Sequence, residues 1–432
     1  MLGEVVPSRR VPPPNLFTPD FGQAPHTLVG RDELCQRLLG GLRLGPADRH
    51  CTTLLLGPRG SGKTVLLNEI KNTLAAEGWI VISLDATTAG IRRRISEAIE
   101  WARDTHEQME VSTKAQKQTK ARINIPGLEW QRTLVQNLDP EWSLRRQLTA
   151  LAIEAEAHDS SVLLAIDELH NCEREEARRL AADFQHIIKD EHRHLAFVGA
   201  GLARMKHTLM EDTRITFFQR CNTEEMPPIT AIDAARFFAS AITDAGGTIE
   251  SEALRMMKDA VGRLPYRMQV IGDYAWRVSN APVHTIDARA AAIAIEEAQL
   301  TVHRKVAVSA WHELSDSEQR YMEALAAAGN GTHANNIARV MAEDPRTLAR
   351  IETHLANFGC IEVGDDDTIH FGDIINEESM RLLNRQRGRY DVTGTTHSGR
   401  TPNRPAACNE WMPRARAYCL LPRGHAGRHR SR

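Results

Sequence analysis

The chain has 432 residues, 42% of them hydrophobic and 25% charged, an ordinary globular balance too long for one core, so two to four domains are expected. No run approaches ~18 apolar residues, which excludes a helical membrane span, and the seven scattered cysteines argue against a disulfide framework and for a reducing cytoplasm. The formal charge of −2 conceals an asymmetry: Arg381 to Arg432 holds twelve arginines against Asp391 and Glu410, a net of +10 that leaves −12 for the rest, so the tail, not the body, is suited to a polyanion.

Residues 1–27 have no apolar signal core and read as a Pro-rich arm. A helical pattern follows from Arg31 to Leu42, then a β-rich run from Thr52 to Leu56. Directly after that run comes Gly57-Pro58-Arg59-Gly60-Ser61-Gly62-Lys63-Thr64, with a helix-like stretch from Val65 to Ala76 behind it. Strand, G-x-x-x-x-G-K-T and helix in that order predict a phosphate cradle. Glycines let backbone N–H groups converge on phosphate oxygens, and the helix N-terminus adds partial positive charge. Lys63 can reach the β- and γ-phosphates, and the Thr64 hydroxyl can ligate Mg²⁺.

A second β-rich run, Trp79 to Leu84, leads into helical patterns at Ile91 to Met109 and Trp142 to Ala157. Between them lie a basic segment (Lys114, Lys117, Lys120, Arg122) and an INIPGLEW run that could form a hairpin. Ser161 to Ile166 is wholly apolar, as a central parallel strand buried on both faces should be, and Leu195 to Val198 is another. The first of these ends in Asp167-Glu168. A P-loop enzyme needs a carboxylate at a neighbouring strand end for the Mg²⁺ shell, which suits Asp167. It also needs a group to orient or deprotonate the attacking water, which suits Glu168. Strands alternating with helices predict an α/β fold with a parallel sheet and the ligand at its carboxyl end.

After Pro227-Pro228 the strand signal stops. Ala231 to Ala245, Ser251 to Val261, Pro265 to Val278 and Ala288 to His303 all have helical period and predict an all-α unit. From Leu314-Ser315-Asp316-Ser317-Glu318, which opens a capped helix, come further helices near Ala334 to Met341 and Pro345 to Phe358. A hairpin follows, Cys360 to Val363 and Thr368 to Phe371 around the acidic tip Gly364 to Asp367. That is a helix-turn-helix with a wing. Its last helix would offer Arg346, Thr347, Arg350 and His354 to a DNA groove, whereas Glu352 and the three aspartates of the tip would repel phosphate; a protein contact fits equally. The Arg-rich tail contains Cys408, Cys419, His425 and His429. They form either a Zn²⁺ set, with a first gap wider than usual, or part of a disordered segment that grips nucleic acid.

The segment Leu28-Val29-Gly30-Arg31-Asp32-Glu33-Leu34, about 25 residues before the cradle, resembles the entry motif of AAA+ ATPases of the origin-recognition type. The order GR-D-E-L, GPRGSGKT, LLAIDE, helical lid and winged helix is similar to actinobacterial ATP-binding proteins of that type, which are related to the archaeal-ATPase and STAND groups. The resemblance covers roughly residues 15 to 385. It implies an arm (1–27), an ATPase core (28–226), an α-helical lid (227–305), a winged-helix-like domain (306–385) and a basic tail (386–432). It implies that Gly30 and Arg31 line the adenine pocket, with Val65 completing the nucleotide seat. Pro265 packs on the base, and Arg267 serves as a sensor reaching the γ-phosphate; an ordinary helix start with Pro in its first turn and a solvated Arg is the alternative. Arg220 falls where an arginine finger for a neighbouring subunit would sit, with Arg214 as competitor and an ordinary surface arginine as the equal alternative. The strand end LAFVGAG departs from the family, since it lacks a polar residue to position the water. The expected function is an ATP-binding switch that hydrolyses ATP slowly and drives a winged helix. The winged helix would meet DNA or, as in STAND-like signalling modules, protein.

Overall fold

The structure, a computed structural model, describes residues 15–19, 29–104, 121–124, 143–191, 193–202, 205, 216–279, 284–387, 411–412 and 417–418. The chain divides into two units, residues 1–383 and 384–432. In the second, Trp411–Met412 pairs antiparallel with Ala417–Tyr418. Cys408, Cys419, His425 and His429 lie outside the described residues, as do Arg214 and the basic positions 114, 117 and 120.

The first unit is built on a sheet of β1 (Thr52–Leu56), β2 (Ile80–Asp85), β3 (Ala121–Asn124), β4 (Val162–Asp167), β5 (Leu195–Gly201) and β6 (Asn222–Glu225), in the order β3-β2-β4-β5-β1-β6. Five strands are parallel; β3 alone runs antiparallel, on β2. Ile123 and Asn124 of the INIPGLEW run thus form an edge strand, and residues 125–130 lie outside the described set. The apolar runs alternate across the pleat, as a strand period of two requires. Leu54, Leu56, Ile82, Leu164 and Phe197 face a core shared with α3 (Ile91–Asp104), α4 (Leu144–Ala157) and α5 (Arg174–Gln185). Leu55, Val81, Leu163, Ala165 and Val198 face α1 (Asp32–Leu44) and α2 (Lys63–Ala76). A short α6 (Thr216–Arg220) precedes β6. The polar β6, Asn-Thr-Glu-Glu, carries no apolar signal; it survives as an edge because β1 supplies its ladder.

Next come α7 (Ala231–Asp244), α8 (Ser251–Ala260), α9 (Pro265–Val278) and α10 (Ala288–Val302), within a residue or so of the periodicity. Thr230 and Asp233 form a capping box on α7, and Asp287 caps α10, contacts worth about 1 kcal/mol each. One parallel pair, β7 (Thr248–Ile249) with β8 (Thr285–Ile286), interrupts the expected all-α unit. Part of the N-terminal arm is docked here. Phe17 is 3% exposed, packs edge-on to Phe237, and sits where a Cβ on Gly272 would come within 2.2 Å of its ring.

A π-turn, His303–Ala307, joins α10 to α11 (Val308–Glu313). Then come α12 (Asp316–Ala328), opened by the Ser315/Glu318 capping box, β9 (Thr332–His333), α13 (Ala334–Met341), α14 (Pro345–Phe358), β10 (Ile361–Val363), β11 (Thr368–Phe371) and α15 (Glu377–Arg387). The three strands pair in the order β10-β11-β9. Arg346, Thr347 and Arg350 of α14 are exposed, and so are Asp365, Asp366 and Asp367 at the hairpin tip. His354 is not the free surface contact that the helix pattern predicts. Its Nδ1 pairs with Glu318 of α12, while Glu352 accepts a hydrogen bond from the Tyr321 hydroxyl at 2.8 Å. These two positions face the partner helix because α14 packs on α12 with Leu348 and Leu355 buried between them.

Candidate nucleotide site

The cradle follows β1 and delivers the chain into α2. Gly60 (φ +76°) and Gly62 (φ +90°) take the left-handed region that a side chain disfavours. Gly57 has another reason to lack a side chain, since a Cβ there would lie 2.9 Å from Ser61 Oγ. Lys63, 5% exposed, donates from Nζ to the Gly57 carbonyl (2.9 Å) and the Pro58 carbonyl (2.8 Å). Burial lowers its ammonium pKa to about 8, opposed by the charges of Glu168 and Asp167 and aided by Arg59.

Across β5, the end of β4 brings the two acids to the same place. Thr64 donates from Oγ1 to Asp167 Oδ2 at 2.7 Å, and the Glu168 N–H donates to Asp167 Oδ1 at 2.8 Å. Hydroxyl and carboxylate oxygens in mutual reach form a donor set that suits a hard divalent cation, so the residues present fit Mg²⁺. When bound, such an ion would neutralise charge on the phosphate oxygens. Among the described residues no cluster of three or more His, Cys, Asp or Glu is placed to hold a metal. Glu168 is a non-glycine residue at φ +52°, a strained backbone that aims its side chain away from the strand direction. Burial, followed by the charge of Asp167, raises its pKa above the ordinary glutamate value.

The entry motif reaches the cradle directly. Arg31, 3% exposed, donates to the Gly30 carbonyl (3.1 Å) and the Ser61 carbonyl (3.3 Å), and burial lowers its pKa to about 10. A Cβ on Gly30 (φ +63°) would meet Asp233 of the α7 cap at 3.1 Å, so the entry segment and α7 touch here. Val65 is half-buried in the first turn of α2. Pro265 stands opposite Gly62, and the Tyr266 N–H donates to the Gly60 carbonyl at 3.3 Å, which lays the start of α9 across the cradle.

Two of the expected residues are held elsewhere. Arg267 is 7% exposed; its Nη2 donates to the Asp373 carbonyl at 3.1 Å, and its Nη1 lies 3.9 Å from that residue's carboxylate. Burial lowers the Arg267 pKa and raises that of Asp373. Arg220 is exposed at the end of α6, two residues before β6 begins. Because β6 runs parallel to β1, Arg220 lies at the opposite end of the sheet from its own cradle.

Sequence reasoning also missed three groups. Glu313, at the end of α11, pairs with Arg59 of the cradle at 2.6 Å. Asp373 accepts from the Arg263 N–H at 3.1 Å and packs so closely on Gly262 (φ +63°) that a Cβ there would come within 2.5 Å. His170, two residues beyond Glu168, has a wholly buried side chain with Nε2 3.3 Å from Glu168 Oε2. Its signal was present as D-E-x-H, next to residues already chosen. A cavity of about 210 Å³ lies between Gly57 and Ser61 of the cradle, Met226 to Pro228, Leu264 before α9, and Gly359 and Asp373 of the C-terminal part.

Residues 27–198 match the family model of the AAA ATPase domain, and residues 304–372 match a domain of unknown function (DUF8462). No curated protein sequence matches the chain. Among solved structures, the Walker-type ATPase PABY2304 of Pyrococcus abyssi is 19% identical with a TM-score of 0.57, over 82% of this chain and 96% of that one. The ORC2 protein of Aeropyrum pernix, solved with ADPNP and ADP, is 13% identical with a TM-score of 0.54, over 86% and 98%. The likeness to both is one of fold. No helix among the described residues is long and apolar enough to cross a membrane.

Proposed function

We propose that this chain, an origin-recognition-like P-loop AAA+ ATPase whose ATPase domain spans residues 27–198, works as a nucleotide-dependent switch that hydrolyses ATP slowly. In this reading α12 to β11 form a winged helix that responds to the nucleotide. The observation that carries it is the hold of the C-terminal part on the cradle and lid. The Glu313 carboxylate takes Arg59, and the Asp373 carboxylate takes the Arg263 N–H and stands 3.9 Å from Arg267, whose Nη2 donates to the Asp373 backbone carbonyl. Both arginines are cations that a triphosphate would draw toward itself, so phosphate and carboxylates compete for the same groups. Binding that releases them frees residues 306–385 to move, since a ligand shifts an equilibrium only through differential contacts. Lys63 and Arg31 support the seat, Thr64 and Asp167 the Mg²⁺, and Glu168 the attack of water.

Replacing both latch acids tests this. Glu313→Gln with Asp373→Asn should tighten ATP binding about five- to twentyfold and raise cleavage by protease between residues 303 and 316, because a ligand no longer has to displace the latch. Unchanged or weaker binding in equilibrium dialysis would remove the latch from the scheme.

A second reading, DNA contact, is favoured by the exposed Arg346 and Arg350 on α14 and by the net charge of the tail. ATP-loaded protein should then bind duplex DNA with an affinity that falls steeply from 50 to 200 mM salt. No salt-dependent binding would point the C-terminal part at a protein partner. Arg220 would act only in trans, so an ATP-induced rise in solution mass is expected if it is a finger, and a constant mass excludes that role.

A further inference from the structure

We infer that His170 is a positioning residue for hydrolysis, which holds the Glu168 carboxylate and stands in for the polar side chain missing from the end of β5. The inference rests on the role given to Glu168 above.

β5 lies between β4 and β1, so its carboxyl end is the natural place for a group that senses the phosphates. It ends in Gly199-Ala200-Gly201 and offers none. The glycines make room for something else. A Cβ on Gly199 would lie 2.8 Å from Leu169 Cδ2, whereas one on Gly201 would crowd Met205 Sδ at 3.0 Å and only touch the His170 backbone nitrogen at 3.4 Å. The 3₁₀ turn Leu169–Asn171 therefore packs directly onto the strand end. That turn begins at the strained Glu168 and carries His170 back beneath it.

The imidazole is oriented by the backbone that follows β5. The Leu202 N–H donates to His170 Nδ1 at 3.4 Å. With Nδ1 accepting, the ring proton belongs on Nε2, and Nε2 lies 3.3 Å from Glu168 Oε2. The ring is fully buried while the Glu168 side chain is 29% exposed. The buried nitrogen thus stands within ion-pair reach of Glu168 Oε2, close enough for a small turn of the carboxylate to complete a hydrogen bond. Leu202 is the residue that follows β5, and it belongs to the apolar core of the C-terminal part. His170 contributes to the rate by limiting the positions of Glu168, not by touching ATP.

The test compares donors at one position in the full-length protein. His170→Gln keeps an N–H at about the reach of Nε2. His170→Asn and His170→Phe do not. Single-turnover ATP hydrolysis should fall about ten- to hundredfold in the Asn and Phe variants, with the ATP dissociation constant within about twofold, and most of the rate should return in the Gln variant. In a Glu168→Gln background, His170→Asn should cost less than about twofold more, because both changes act through one carboxylate. Equal rates in the Gln and Asn variants, or a full additional loss in the double variant, overturn the inference. Should His170→Phe not fold, the Asn and Gln pair decides alone. If Glu168→Gln itself hydrolyses at the native rate, the role of Glu168 fails first; if it is inactive and His170→Asn is not, only the role of His170 fails.

Discussion

Glu168→Gln should lower ATP hydrolysis by about 10²–10⁴-fold while leaving ATP affinity within about twofold. The size follows from loss of a general base or water-orienting carboxylate, whose usual contribution spans that range. Affinity should survive because the groups placed to hold phosphate are Lys63, the glycine N–H donors and the start of α2, none of which needs the Glu168 side chain for its place. Thr64 is held by Asp167, not by its neighbour. The pH profile gives a second reading of the same residue. Burial and Asp167 raise the Glu168 pKa, so the acid limb of the native rate should lie above the ordinary glutamate range: the rate falls as pH drops and the base takes up its proton. In the glutamine variant that limb should vanish from whatever rate remains. A native-like rate at pH 7.5, or an unchanged acid limb, would leave the carboxylate without a part in the chemistry.

What the sequence made legible here was contiguous or periodic. The cradle is eight consecutive residues, two of whose three glycines are required by local backbone angles, and the carboxylates end an apolar run that a two-sided strand demands. The helices after Pro228 could be placed almost to the residue because their apolar residues keep a helical period and Pro265 marks one start. What stayed hidden was set by contacts at long range. Nothing near Arg267 announces that Asp373, 106 residues on, will take its guanidinium. β6 was invisible because an edge strand satisfied by β1 needs no apolar side chains. Phe17 sits in a stretch whose prolines read as open arm, yet one aromatic against Gly272 and Phe237 is enough to dock it. The missing polar residue of β5 looked like a defect in the sequence. In the fold, Gly199 leaves room for Leu169, whose turn lies against the strand end.

Lys63→Met should abolish measurable ATP binding, a loss of at least about a hundredfold, and yet leave the nucleotide-free protein as stable as the native one or more so. Both halves follow from where the ammonium sits. It is buried at the N-terminus of α2, where the helix dipole opposes a cation, and among the described residues only the carbonyls of Gly57 and Pro58 accept its protons. The lowered pKa of about 8 states the cost. Unfolded, the lysine keeps its proton to about 10.5; folded, it gives it up near 8. Between those values the unfolded chain binds more protons, so this group's contribution to stability rises with pH, by about 3 kcal/mol over the whole window. Denaturant melts at pH 7 and pH 9.5 should therefore show the native protein gaining on Lys63→Met at the higher pH, and a variant that is less stable at pH 7 would contradict the assignment. A triphosphate reverses the balance, since its charge favours the protonated ammonium. Above pH 8 binding must then take up a proton, and the native affinity should fall toward tenfold per pH unit. Calorimetry in two buffers of different ionisation heat would register that proton directly. Uptake below pH 7 and none at pH 9 would mean that another group, and not Lys63, meets the phosphates.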